Sequence, residues 1–101
     1  MALNPIQLTP KQKSFLRAQA HKLGPVVMTG SSGLTEAVLN EIELSVAHHE
    51  LIKIKLGGAD KVLRQQMADE ICARTGAAAV QIIGRILVIY RSSKEQRIKL
   101  P

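Results

Sequence analysis

The chain has 101 residues, 46% of them hydrophobic, with a formal net charge of +6. That length suits one domain around one core, and the lone Cys72 excludes an internal disulfide and a multi-cysteine metal site. No charged leader precedes an apolar run, and nothing approaches the roughly 18 apolar residues needed to span a bilayer. The expectation is a reduced, soluble, cytoplasmic protein with no membrane partner.

Thr9 and Pro10 form an N-cap and first-turn pair, and Phe15, Leu16, Ala20 and Leu23 then supply an apolar stripe that ends near Gly24. This spacing predicts a first helix over about residues 10–22. Pro25 to Thr29, an apolar run between Gly24 and Gly30, reads as a short buried strand. Leu34, Val38, Ile42 and Val46, with Leu39 alongside, recur at helical spacing through about residue 48 and predict a second helix, acidic on its outer side. Leu51 to Leu56 alternates: Ile52, Ile54 and Leu56 take one face, and Leu51, Lys53 and Lys55 the other.

Gly57-Gly58 breaks that strand, Asp60 can cap, and Leu63, Met67 and Ile71 mark a third helix that stops at Thr75-Gly76. Ala77 to Arg91 contains two apolar runs around Gly84-Arg85, the pattern of a hairpin. The order is α-β-α-β-α-β-β, an α/β single domain with a four-stranded mixed sheet. Apolar residues on both faces of the last strand imply that the second sheet face is covered there, with the first helix as the expected cover. Lys53 and Lys55 would mark a part of that face left open.

Charge is sorted along the chain. Residues 1–33 carry Lys11, Lys13, Arg17 and Lys22 without an acid, whereas residues 34–50 carry Glu36, Glu41, Glu43 and Glu50 without Lys or Arg. Clustered positive charge beside a separate acidic element suits a polyanion binder that presents one side to its partner. Within this pattern Gly30-Ser31-Ser32-Gly33 follows a strand and opens a helix. Such a GxxG loop lets backbone and phosphate approach, with the first helical amides and the positive dipole end behind it. The same letters also fit a plain capping arrangement, Gly33 with Glu36 three residues on.

The runs LTPKQKSFLRAQAHKLGPVVMTGSSGLTEAVLNEIELSVAHHELIKIKL and RTGAAAVQIIGRILVIYR, with the tail SSKEQRIKLP, carry a resemblance across nearly the whole chain. The sequence resembles the bacterial YhbY-type proteins built of a single CRM domain, a module named for chloroplast RNA splicing and ribosome maturation. The resemblance implies one domain over residues 1–101 with a basic tail at 92–101, and a fold similar to the C-terminal domain of translation initiation factor three. It further implies RNA binding without catalysis, cofactor or small-molecule substrate, and association with ribosomal RNA in precursors of the large ribosomal subunit. The candidate RNA contacts are then Gly30, Ser31, Ser32 and Gly33 in a KH-like loop, Lys11, Lys13, Arg17 and Lys22 on the first helix, Lys53 and Lys55 on the second strand, and Arg85 and Arg91 in the hairpin.

Other residues limit the alternatives. Phe15 and Tyr90 are the only Phe, Tyr or Trp residues, which is too few for an aromatic base-stacking platform. His48 and His49 with His21 lack a partnering carboxylate or cysteine pattern for a metal, and Cys72 reads as a small core residue. A second reading stays open, a protein-interaction adaptor that docks through the acidic helix at 34–48.

Overall fold

The structure, a computed structural model, describes residues 7–30, 33–58 and 60–101. Its elements are α1 (Pro10–Ala20), β1 (Pro25–Met28), α2 (Glu36–His49), β2 (Leu51–Lys55), α3 (Lys61–Thr75), β3 (Ala78–Ile83) and β4 (Ile86–Tyr90). The predicted order and mixed sheet are both present. The strands lie in the order β1-β2-β4-β3. β1 runs parallel to β2, while β4 is antiparallel to both β2 and β3.

Each helix starts where its cap allows. Thr9 and Gln12 make a reciprocal capping box at α1, with Pro10 in the first turn. Thr35 caps α2, its hydroxyl accepting from the Val38 amide at 3.2 Å. The capping role read at Gly33 therefore belongs to Thr35, whose side chain has the acceptor oxygen that glycine lacks. Asp60 caps α3, and Gly76, at φ 73°, ends it in the left-handed conformation.

The sheet separates two apolar clusters. One face packs Val27, Ile52, Ile54, Leu87 and Ile89 against Leu39, Ile42 and Val46 of α2 and Met67, Ile71 and Cys72 of α3. On the other face Leu51, Val80, Val88 and Tyr90 lie under Leu16 and Ala20 of α1. The expected cover by α1 is therefore present, and the tail adds to it through Ile98 and Leu100. Two stripe residues fall outside this packing. Leu23 is 40% exposed because α1 ends at Ala20, so the residue lies past the helix beside Val26 and Ile98. Leu63, 46% exposed, stands in the first turn of α3 next to Gly58, beyond the turns whose Met67 and Ile71 reach the core.

The tail is fastened by one carboxylate. Glu50 follows α2 with φ 68° and is fully buried. Its Oε2 accepts from the Ser93 hydroxyl, the Ser93 amide at 3.3 Å and the Arg97 amide at 2.9 Å, and its Oε1 accepts from the Ile98 amide at 2.9 Å. Burial pushes the Glu50 carboxyl up, but these donors together outweigh it and hold the group below its ordinary value. In the sequence Glu50 is one of four acids in the segment 34–50, and nothing there sets it apart for this role.

Candidate nucleic-acid interface

β1 and β2, being parallel, end on the same side of the molecule, and each passes through a glycine loop into a helix N-terminus. Ligands to α/β sheets commonly gather outside such strand ends. The two loops are locked together. The Thr29 amide donates to the Lys55 carbonyl at 2.9 Å, and its buried hydroxyl accepts from the Gly57 amide at 2.6 Å. A Cβ on Gly57 would stand 2.8 Å from the Thr29 carbonyl oxygen, so only glycine allows this approach.

The GxxG loop has a different geometry. The Gly33 amide donates to the Gly30 carbonyl at 3.0 Å, and Gly33 takes φ 73°. Around Gly30, by contrast, a Cβ would meet nothing within 4 Å, and no positive φ is required there. Nothing in the described fold needs glycine at position 30, and the space beside it is open to an outside chain. Ser31 and Ser32 lie outside the described residues.

Next to this end, one half of a sheet face is left open. Lys53 pairs with Val88, Lys55 with Ile86, Met28 with Lys55, and Ile83 with Ile86. Paired residues share a face, so all of these point to the side that carries α1. Lys53 is half-buried and Lys55 exposed, which matches the open part expected around them. α1 shields the far half of this face, over Leu51, Val88 and Tyr90. Its flank bearing Gln12 and Gln19 meets the tail, Gln12 donating to the Pro101 carbonyl and Gln19 lining a groove with Ile98. Lys13, half-buried, and Arg17, exposed, stand one turn apart on the flank of α1 opposite Gln12 and Gln19.

Charge separates across the sheet more sharply than along the chain. α1 and all four strands contain no Asp or Glu. Acidic residues on regular elements stand only on α2 and α3, behind the sheet. Two of those on α2 are paired internally, Glu36 with Arg74 at 3.0 Å and Glu43 with Arg91 at 2.7 Å.

The predicted cations are distributed unevenly over this surface. Lys53 and Lys55 stand on the face that carries α1, Lys13 and Arg17 on the flank of α1 away from the tail, and the exposed Arg85 sits at the β3–β4 turn on the same side of the molecule as the loops, its carbonyl bonded to the Leu56 amide. Lys11 is exposed on the outer face of α1, and Lys22 lies at the other end of the sheet with His49 and Ile98. Arg91 is engaged inside the fold, donating to both Glu43 oxygens at 2.9 and 2.7 Å and to the Thr75 carbonyl at 2.7 Å. The geometry also brings in Arg64, which the sequence reading left out: its guanidinium donates to the Gly58 carbonyl at 3.1 Å, next to the paired loops.

Other chemistry has little to work with. Among the described residues, no group of three His, Cys, Asp or Glu side chains could hold a metal ion. No helix among them is long and apolar enough to cross a membrane. Cys72 is buried, and that burial with nearby Asp69 pushes its thiol up to about 11, opposite to the activation a nucleophile needs.

Residues 8–91 match the sequence model of the CRS1 / YhbY (CRM) domain. A Haemophilus influenzae protein named RNA-binding protein is 55% identical over 94 residues, which cover 93% of this chain and 95% of that one. A Bacillus subtilis relative named as a probable RNA-binding protein, YqeI, is 34% identical over 95 residues, covering 93% and 99% of the two chains. The solution structure of a Staphylococcus aureus hypothetical protein, described as a candidate RNA-binding protein, superimposes with a TM-score of 0.84 at 35% identity. It covers 94% of this chain and 100% of its own. With a family match over most of its length, relatives this similar and the same fold, the chain belongs to the CRS1/YhbY (CRM) domain family.

Proposed function

We propose that this protein binds RNA without catalysing a reaction, and that its target is ribosomal RNA in precursors of the large ribosomal subunit, where it assists assembly in the cytoplasm. The observation that carries the RNA reading is the acid-free surface made by α1 and the open half of the sheet, next to a GxxG loop with room beside Gly30. Relatives named as RNA-binding proteins support it. The ribosomal target rests on the resemblance to YhbY-type proteins. In this reading Gly30, Ser31, Ser32 and Gly33 shape the backbone contact, while Lys13, Arg17, Lys53, Lys55 and Arg85 supply most of the attraction and Lys11 and Lys22 add to it at longer range. The adaptor alternative loses ground, because Glu36 and Glu43 on α2 already have partners within the chain.

A salt series tests the reading. With about four or five phosphates contacted, the affinity for ribosomal RNA falls with a log–log slope of roughly −3 to −4. A flat response refutes it. Crosslinking in cells with sequencing of the bound RNA, and sedimentation of ribosomal particles, tests the target. Recovery of large-subunit RNA from particles lighter than the mature subunit is the expected result.

A further inference from the structure

The open half of the sheet is not uniformly cationic. Met28, Lys55, Ile86 and Ile83 stand side by side, one from each strand, in a single cross-strand row. With neighbouring strands about 4.8 Å apart, the row is about 14 Å long. Met28 is 63% exposed and Ile83 66% exposed, and Ile86 between them is half-buried. Two large apolar side chains are thus held in water on the one face whose own elements carry no acid. A protein partner able to neutralise Lys53, Lys55 and Arg85 would have to be acidic as well as apolar at this spot. A nucleic acid strand with unpaired bases has both properties in every nucleotide, an anionic backbone and a flat apolar face.

We infer that this row is a platform for unpaired nucleobases, so that the RNA recognised is single-stranded or looped at the contact rather than a continuous duplex. The inference rests on the RNA-binding reading above and adds the class of RNA. The loop at Gly30 and the cations of α1 and β2 hold the backbone. Bases turned inward lie over Met28, Ile86 and Ile83, and the Arg85 guanidinium at the end of the row offers a second flat surface for stacking. A duplex keeps its bases stacked on one another, so it can meet the cations but leaves the apolar row wet.

The test uses the full chain and two fluorescein-labelled RNAs, a short unstructured strand and the blunt duplex of the same sequence. The wild type is compared with a variant carrying Met28→Ser and Ile83→Ser, and with Lys55→Gln. Both serine positions lie outside the core, so unchanged thermal melting is expected. The serine variant loses about tenfold in affinity for the single strand, the order expected when bases no longer cover two aliphatic side chains. It keeps its duplex affinity and its salt slope. Lys55→Gln weakens both RNAs together and lowers the slope by about one phosphate's worth. Wild-type binding to RNA with an unaltered serine variant overturns the platform while leaving the RNA reading in place, and points to a protein as the partner of the row. Wild-type failure to bind either RNA overturns both.

Discussion

Replacing Glu50 with Gln tests whether one buried carboxylate holds the tail to the domain. In the native protein its two oxygens accept four hydrogen bonds, from the Ser93 hydroxyl and the amides of Ser93, Arg97 and Ile98. Glutamine has one acceptor oxygen. If that oxygen stays with Ser93 and Arg97, the amide NH2 is forced against the Ile98 N–H, where donor faces donor. A lost hydrogen bond to a charged group costs about 1.5–3 kcal/mol, and the surviving bonds weaken as the acceptor becomes neutral. The expected loss is about 2–4 kcal/mol, a fall of about 10–20 °C in the melting temperature for a domain of this size. Urea unfolding of both proteins across a pH series gives the second reading. The native pKa of Glu50 lies below its ordinary value of 4.5. Its contribution is therefore complete above that value and is lost as the pH falls through the lower native pKa. The gap between wild type and Glu50→Gln should be constant near neutral pH and narrow below 4.5. A neutral-pH gap under about 0.5 kcal/mol, or curves that stay parallel in acid, refutes the clamp.

The hairpin arginines separate stability from binding. Arg91→Ala breaks a partly buried bidentate pair and the bond to the Thr75 carbonyl, and it should cost about 2 kcal/mol in urea unfolding. Arg85→Ala touches only an exposed turn, so it should leave stability within about 0.5 kcal/mol while weakening RNA binding in a filter or anisotropy titration. The reverse pattern contradicts both assignments. Cys72, with its thiol at about 11 and its side chain in the core, should react with a colorimetric disulfide reagent at neutral pH only as fast as the protein opens, and at once in denaturant.

Local pattern was legible in the sequence wherever one element decides it. The alternation of Ile52, Ile54 and Leu56 against Lys53 and Lys55 identifies both the strand and its wet face, because side-chain direction in a strand is a period-two property of the chain itself. Thr9-Pro10, Asp60 and Gly76 mark helix ends through chemistry that acts within a few residues. Features settled between distant elements were not legible. Glu50 sits in an acidic segment and looks like its neighbours; only the return of residues 93–98 distinguishes it. Arg91 reads like any strand-end arginine until α2 brings Glu43 to within 2.7 Å. The apolar row is hidden for the same reason. Met28 and Ile83 read as core residues in their own strands, and only the cross-strand register, which puts them at the two edges of the row beyond the half-buried Ile86, leaves them in water.

The placement of α1 accounts for much of the candidate interface. A sheet with helices on one face would leave its other face apolar and open, and α1 covers the part over Leu51, Val80, Val88 and Tyr90 and reaches the half-buried Ile86, with the tail beside it. Lys53, half-buried beside the covered Val88, marks the border, and the exposed Lys55 stands in the next row with Ile86, so charge and exposure meet at the Lys55 row. The acids carried by regular elements are on α2 and α3, on the far side of the sheet, two of them already paired there. Moving a single carboxylate onto the open row, as in Ile83→Glu, would leave the core untouched and place a fixed negative charge near Arg85 in the same hairpin and two strands from Lys55. If the face meets a polyanion, that change should weaken binding more than Ile83→Ser does, and the excess should shrink as salt screens it.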